Sequence, residues 1–162
     1  MRIVILLLLV SGGVFAQTAQ KEINDQVWKP FIKGFTEGDT EMFMSVHSKD
    51  LVRSPRDSKE VLNWEGYNNQ TKAGNERRAG DKVKLNIELH FTERINNSNQ
   101  AIDVGVYKTT WKSADGKSGA GYGRFHVVLR KEDGIWKILV DTDSDENNTI
   151  GEAQFLSAKP ME

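Results

Sequence analysis

No cysteine occurs among the 162 residues. Disulfides and a cysteine-borne lipid anchor are therefore excluded, and core packing alone has to stabilise the fold. Charge of one sign is also missing: 22 basic residues stand against 23 acidic ones, with Arg77-Arg78 the densest basic point. Such a balance offers no field for nucleic acid or an anionic membrane. The three histidines, His47, His90 and His126, fall on separate elements with no short ligand spacing, so no zinc pattern results and no metal or other cofactor is expected. The apolar run Ile3–Val10 is far shorter than the roughly 20 residues of a membrane-spanning helix.

What is present begins with that run. Arg2, the apolar stretch, the break Ser11-Gly12-Gly13 and the small residues around Val14-Phe15-Ala16 read as a signal peptide cleaved after Ala16. The expectation is an exported protein, periplasmic or extracellular, with no membrane contact after cleavage. Residues 17–146 then form a single domain and 147–162 a C-terminal tail.

Ile23, Val27, Trp28, Phe31, Ile32 and Phe35 make the apolar stripe of a helix packed on one side, bent by Pro30. Gly38-Asp39 ends it, and Asp39 or Thr40 caps a short second helix that His47 closes as an imidazolium. Leu51–Ser54 is a short strand stopped by Pro55, and Tyr67–Arg78 a weakly apolar helix. From Val83 the period changes to 2: Val83, Leu85, Ile87, Leu89 and Phe91 alternate with polar residues that include His90, which is expected to be exposed. Turns at Asn96–Asn99, Asp115–Gly119 and Lys131–Gly134 link four strands into an antiparallel meander. Gly119–Gly123 lies between strands and reads as a flexible hairpin end or bulge. Helices on one face of such a sheet define an α+β fold, a cone-shaped curved antiparallel sheet wrapped around N-terminal helices, with a ligand site at its mouth.

The segments VWKPF (27–31), GDTEMF (38–43), HSKDLVR (47–53) and GRFHVVLRKEDGIWKI (123–138) resemble the nuclear transport factor 2-like superfamily and, more narrowly, its SnoaL-like branch. The resemblance spans nearly all of residues 17–162. It implies the cone-shaped α+β barrel, often dimeric through the outer sheet face, a scaffold for both enzymes and binding modules. The carboxylate base that ketosteroid isomerases of this superfamily place before a proline is Ser54 here, and their pocket tyrosine is missing from helix one. Nor does any local spacing assign the arginine and paired aspartates of epoxide-opening relatives.

Candidate pocket residues are the aromatics Trp28, Trp64, Tyr67 and Tyr107, the pair Arg124 and His126 on one side of a strand, and Asp141 and Asp143, which share a parity directed into the cone. Asp141, Asp143, Asp145, Asn147, Thr149 and Glu152 also fit the ligand positions of a calcium loop. Glu146, however, stands where that loop needs glycine, and a strand precedes it, so a solvated acidic strand end is the reading preferred. No serine nucleophile motif occurs. Val127–Leu129 and Ile138–Val140 are apolar at both parities, which calls for cover on both sheet faces and implies a homodimer through the outer one. The reading that results is a small-molecule-binding protein whose ligand is partly apolar. The alternatives are a lyase, isomerase or cyclase acting in the same pocket, or a module that recognises protein or glycan. A buried His–Asp contact near the cavity floor would favour catalysis.

Overall fold

The computed structural model describes residues 18–161; the signal-peptide reading lies outside them. Residues 18–23 are helical, a π turn follows at Asn24–Trp28, and helix α1 runs over Lys29–Glu37. Proline has no N–H and its ring crowds the carbonyl four residues back, so a helix has to adjust around it. Here the adjustment is the π turn, closed by the Lys29 N–H on the carbonyl of Asn24. It keeps Val27 and Trp28 side by side in the core.

Asp39 accepts the Met42 N–H at 2.9 Å and so starts α2, Thr40–Ser45. Strand β1, His47–Pro55, and a 3-10 turn at Arg56–Ser58 come next. Helix α3 occupies Trp64–Gly80, three residues earlier at its start than the apolar pattern marks, because the Asn63 side chain caps it on Gly66 N–H. The meander then consists of β2 (Lys84–Asn96), β3 (Gln100–Lys112), β4 (Ser118–Glu132) and β5 (Ile135–Ser144). Its last turn, Asp133-Gly134, has positive φ at both residues, 49° and 86°, the twist-matched two-residue hairpin.

The chain closes with α4, Glu152–Ser157, and a two-residue strand β6, Lys159–Pro160. Strand order is β1-β5-β4-β3-β2-β6. All pairings are antiparallel except β1 with β5, which is parallel and sets Arg53 beside Asp141. The sheet is curved and unclosed, with the first helix on its concave side. There Trp28 meets Phe31, Phe91 and Phe125 at ring separations of 5.7 Å each.

Two local readings change. Gly119–Gly123 is not a loose hairpin end but the first half of β4, and its glycines make room for rings from β3. A Cβ on Gly119 would lie 2.7 Å from Trp111, and one on Gly123 would collide with the Tyr107 hydroxyl. His90 is not exposed. It stacks on Phe155 at 3.8 Å and its Nδ1 donates to the carbonyls of Phe155 and Ala158. This contact brings the C-terminal segment onto the convex face, where Phe155 and Ile150 cover Val106.

Candidate functional site

Inward positions are set by strand parity. On β5, Trp136 and Ile138 point to the core; past the bulge near Leu139, Asp141 and Asp143 do the same. On β1 the inward residues are Leu51 and Arg53, while Val52 is exposed. Together with α1, α2 and α3 these positions enclose a cavity of about 220 Å³. Trp28, Phe31, Phe35, Phe43 and Phe125 supply much of its apolar wall, and Arg53, Tyr67, Tyr107, Asp141 and Asp143 gather on its polar side.

The polar side is built on Arg53. Its Nη1 lies 2.6 Å from Asp143 Oδ1, an ion-pair contact without the alignment of a hydrogen bond. The same nitrogen donates to the Asp141 backbone carbonyl at 3.3 Å. Tyr107 reaches the other oxygen of Asp143, Oδ2, at 3.2 Å, its ring crossing β4 over Gly123. Asp141 is served less well. Arg53 Nε stands 3.6 Å and His47 Nε2 3.9 Å from its Oδ2, and neither nitrogen has a hydrogen-bond partner among the described residues.

Burial dominates the electrostatics. It raises the Asp141 carboxyl above the usual range, against the pull of the Arg53 guanidinium. His47 is pushed down to about 3, first by desolvation and then by the positive charges of Arg53 and Lys137, although its bond to Phe43 opposes the shift. Tyr67 and Tyr107 are both raised, again chiefly by burial, and hold their hydroxyl protons throughout the neutral range. Arg53 remains a cation because its acidic neighbours, with the Asp143 carboxylate 2.6 Å away, more than offset its own desolvation.

Of the residues singled out from sequence, Trp28, Tyr67, Tyr107, Asp141 and Asp143 line this cavity. Trp64 is not among the lining residues; it packs against the core from outside the cavity lining, with Lys49 Nζ 2.9 Å from its ring centre. Arg124 and His126 are on the convex face, Arg124 bonded to Glu146 at 2.9 Å and His126 exposed. Two site residues were missed, Arg53 and His47. The visible signal for Arg53 was its shared parity with Leu51. His47 does bond the end of α2, through Nδ1 to the Phe43 carbonyl at 3.0 Å, but as a buried neutral ring and not an imidazolium. The calcium-loop positions do not converge. Asp141 and Asp143 face the cavity, whereas Asp145 caps its own turn on Asn148 N–H. Among the described residues no group of three acidic or histidine side chains is placed to hold a metal ion.

No family model and no curated protein matches the sequence. Solved structures do. Aln2 from a Streptomyces species superposes with a TM-score of 0.66 at 12% identity, covering 86% of this chain and 96% of that one. A nuclear transport factor 2-like superfamily protein from Salmonella enterica serovar Typhimurium gives 0.63 at 16% identity over 79% and 91%. A proposed dehydratase of the same family from Streptomyces avermitilis gives 0.65 at 12% over 80% and 97%. Likeness at these identities concerns backbone alone, and on that basis this chain has the nuclear transport factor 2-like fold.

Proposed function

We propose that this protein binds a small, partly apolar molecule inside the cone. The observation that carries the reading is the cavity of about 220 Å³, apolar over most of its wall and charged along one side. That combination buries a ligand's hydrophobic surface while a few polar groups fix its orientation. Native mass spectrometry on protein purified from its own host tests it. An additional mass, lost on denaturation and retained in His126→Ala, is expected, because His126 lies on the far face. Host-purified protein that always carries the bare chain mass would count against it.

A second reading, a lyase, isomerase or cyclase in the same pocket, is favoured by the His47–Asp141 contact on the polar side. Two carboxyl groups in one buried site, one ion-paired and one pushed up by burial, are a combination suited to acid–base work. The dehydratase proposed among the structural neighbours has the same fold, which raises the prior without assigning a reaction. A module for protein or glycan has no comparable observation behind it.

Export and dimerisation belong to the same proposal. Residues 1–16 support export. The convex face carries an apolar row of register partners, Val52–Val140–Val128–Ile102–Ile95, that crosses five strands. Val52, Ile102 and Ile95 are exposed, and a second copy would cover them. Light scattering should report a dimer that Ile102→Arg converts to monomer.

A further inference from the structure

The cavity holds more carboxyl groups than cations, and on the reading that the cone is a ligand site the surplus bears on what enters it. Arg53, Asp141 and Asp143 all line it. Arg53 Nη1 lies 2.6 Å from Asp143 Oδ1 and donates to the Asp141 backbone carbonyl at 3.3 Å. Asp143 also receives the Tyr107 hydroxyl on its other oxygen. What the guanidinium leaves for the Asp141 side chain is Nε at 3.6 Å, beyond hydrogen-bond distance.

The other groups around Asp141 add no cation. His47 of β1 has no solvent exposure, and its Nδ1 is taken by the Phe43 carbonyl at 3.0 Å. Burial pushes its ring down to about 3, so at neutral pH Nε2 presents a lone pair to Asp141 Oδ2 across 3.9 Å, a second acceptor and not a donor. Tyr67 from α3 and Tyr107 from β3 keep their protons. Lys137 of β5 donates to the Ser45 carbonyl. One guanidinium thus stands against two carboxyl groups, and with both ionised the chamber carries one unmatched negative charge. Burial opposes that charge, and a cation arriving at Asp141 supplies the partner that offsets the cost.

The walls suit such a visitor. Trp28, Phe31, Phe43 and Tyr67 line the chamber with aromatic rings, and the Tyr67 ring already has the Arg53 guanidinium 5.2 Å from its centre. A carboxylate ligand would find Arg53 occupied and a third acidic group beside it. An alcohol would leave the charge unmatched. We propose that Asp141 is the anchor for a protonated amine, and that the ligand is a small monoamine whose apolar body packs among Trp28, Phe31 and Phe125.

Benzylamine, benzyl alcohol and benzoate, probes of similar size but different charge, test this by NMR titration of the intact protein at about pH 7.5, where an alkylamine is protonated. Binding is followed at the indole N–H of Trp28, which lines the cavity. Benzylamine should bind at least about tenfold more tightly than either of the others. Asp141→Asn, which removes the charge and keeps the shape, should bring benzylamine to within about threefold of benzyl alcohol. Benzyl alcohol or benzoate binding as tightly as benzylamine would overturn the amine assignment while leaving the cone a ligand site. So would an Asn variant that keeps the full preference. Binding by none of the three would instead remove the cavity as a ligand site, and the amine with it.

Discussion

Two aspartates are buried in this cone with opposite provision. Asp103, 1% exposed, receives a bidentate pair from Arg94, at 3.1 and 3.0 Å, and the indole N–H of Trp28 at 2.7 Å. Asp141, 7% exposed, has an arginine and a histidine nearby but a hydrogen bond from neither. The first ties the long helix to the sheet. The second lines a cavity. A buried carboxylate with both oxygens hydrogen-bonded is a structural pin, whereas one left short keeps its bonding capacity unspent.

Removing the pin should have the largest effect. Asp103→Ala strands a largely buried guanidinium and an indole N–H, and should cost about 3–5 kcal/mol in chemical denaturation. Asp141→Asn should change stability by no more than about 1 kcal/mol, because burial already disfavours its charge and its carboxyl takes a hydrogen bond from neither neighbour. Equal losses in the two variants would erase the distinction.

Acidification sharpens it. His47 has its folded value depressed to about 3 from an ordinary 6.5. Its contribution is therefore complete above pH 6.5 and is lost as pH falls toward 3, with a limiting slope of about 1.4 kcal/mol per pH unit for one proton. Asp141, raised in the fold, runs the other way. Between its raised value and the ordinary 3.8 the folded chain holds a proton that the unfolded chain lacks, which offsets the histidine. Asp141→Asn should thus steepen the acid-side loss of stability, and His47→Asn should flatten it, both read from denaturation midpoints across pH.

A further pair of effects concerns the ring that supports Asp143. Gly123→Ala drives a methyl against Tyr107 and should cost about 1–3 kcal/mol. Tyr107→Phe loses only the hydroxyl contact with Asp143, about 0.5–1.5 kcal/mol. If the alanine variant proves the milder of the two, the close approach over Gly123 is not what places the ring.

Much of this was legible in the chain itself. The alternation from Leu85 to Phe91 marks β2, the apolar stripe from Ile23 to Phe35 marks the first helix, and shared parity on β5 directs Asp141 and Asp143 inward together. Arg53 and His47 were not legible as their neighbours. Arg53 meets Asp141 across 88 positions of sequence through a parallel pairing that no hairpin announces. Strand β1 also inverts the usual pattern, turning an arginine in and Val52 out. The inward turn of Arg94 depends on a register shift between Phe91 and Glu93, a one-residue change that simple alternation misses. The cover that Phe155 and Ile150 give to Val106 on the convex face was not legible either, because residues 147–162 carry no signal that docks them there.

That C-terminal segment has a consequence for how the molecule behaves in a crowd. Lys159 and Pro160 sit along the free rim of β2, and Pro160 has no N–H to extend the ladder further. At the opposite rim, Leu62 pairs with Arg53 and shields part of β1. Both outer borders of the sheet are thus blunted against recruiting a stranger's strand.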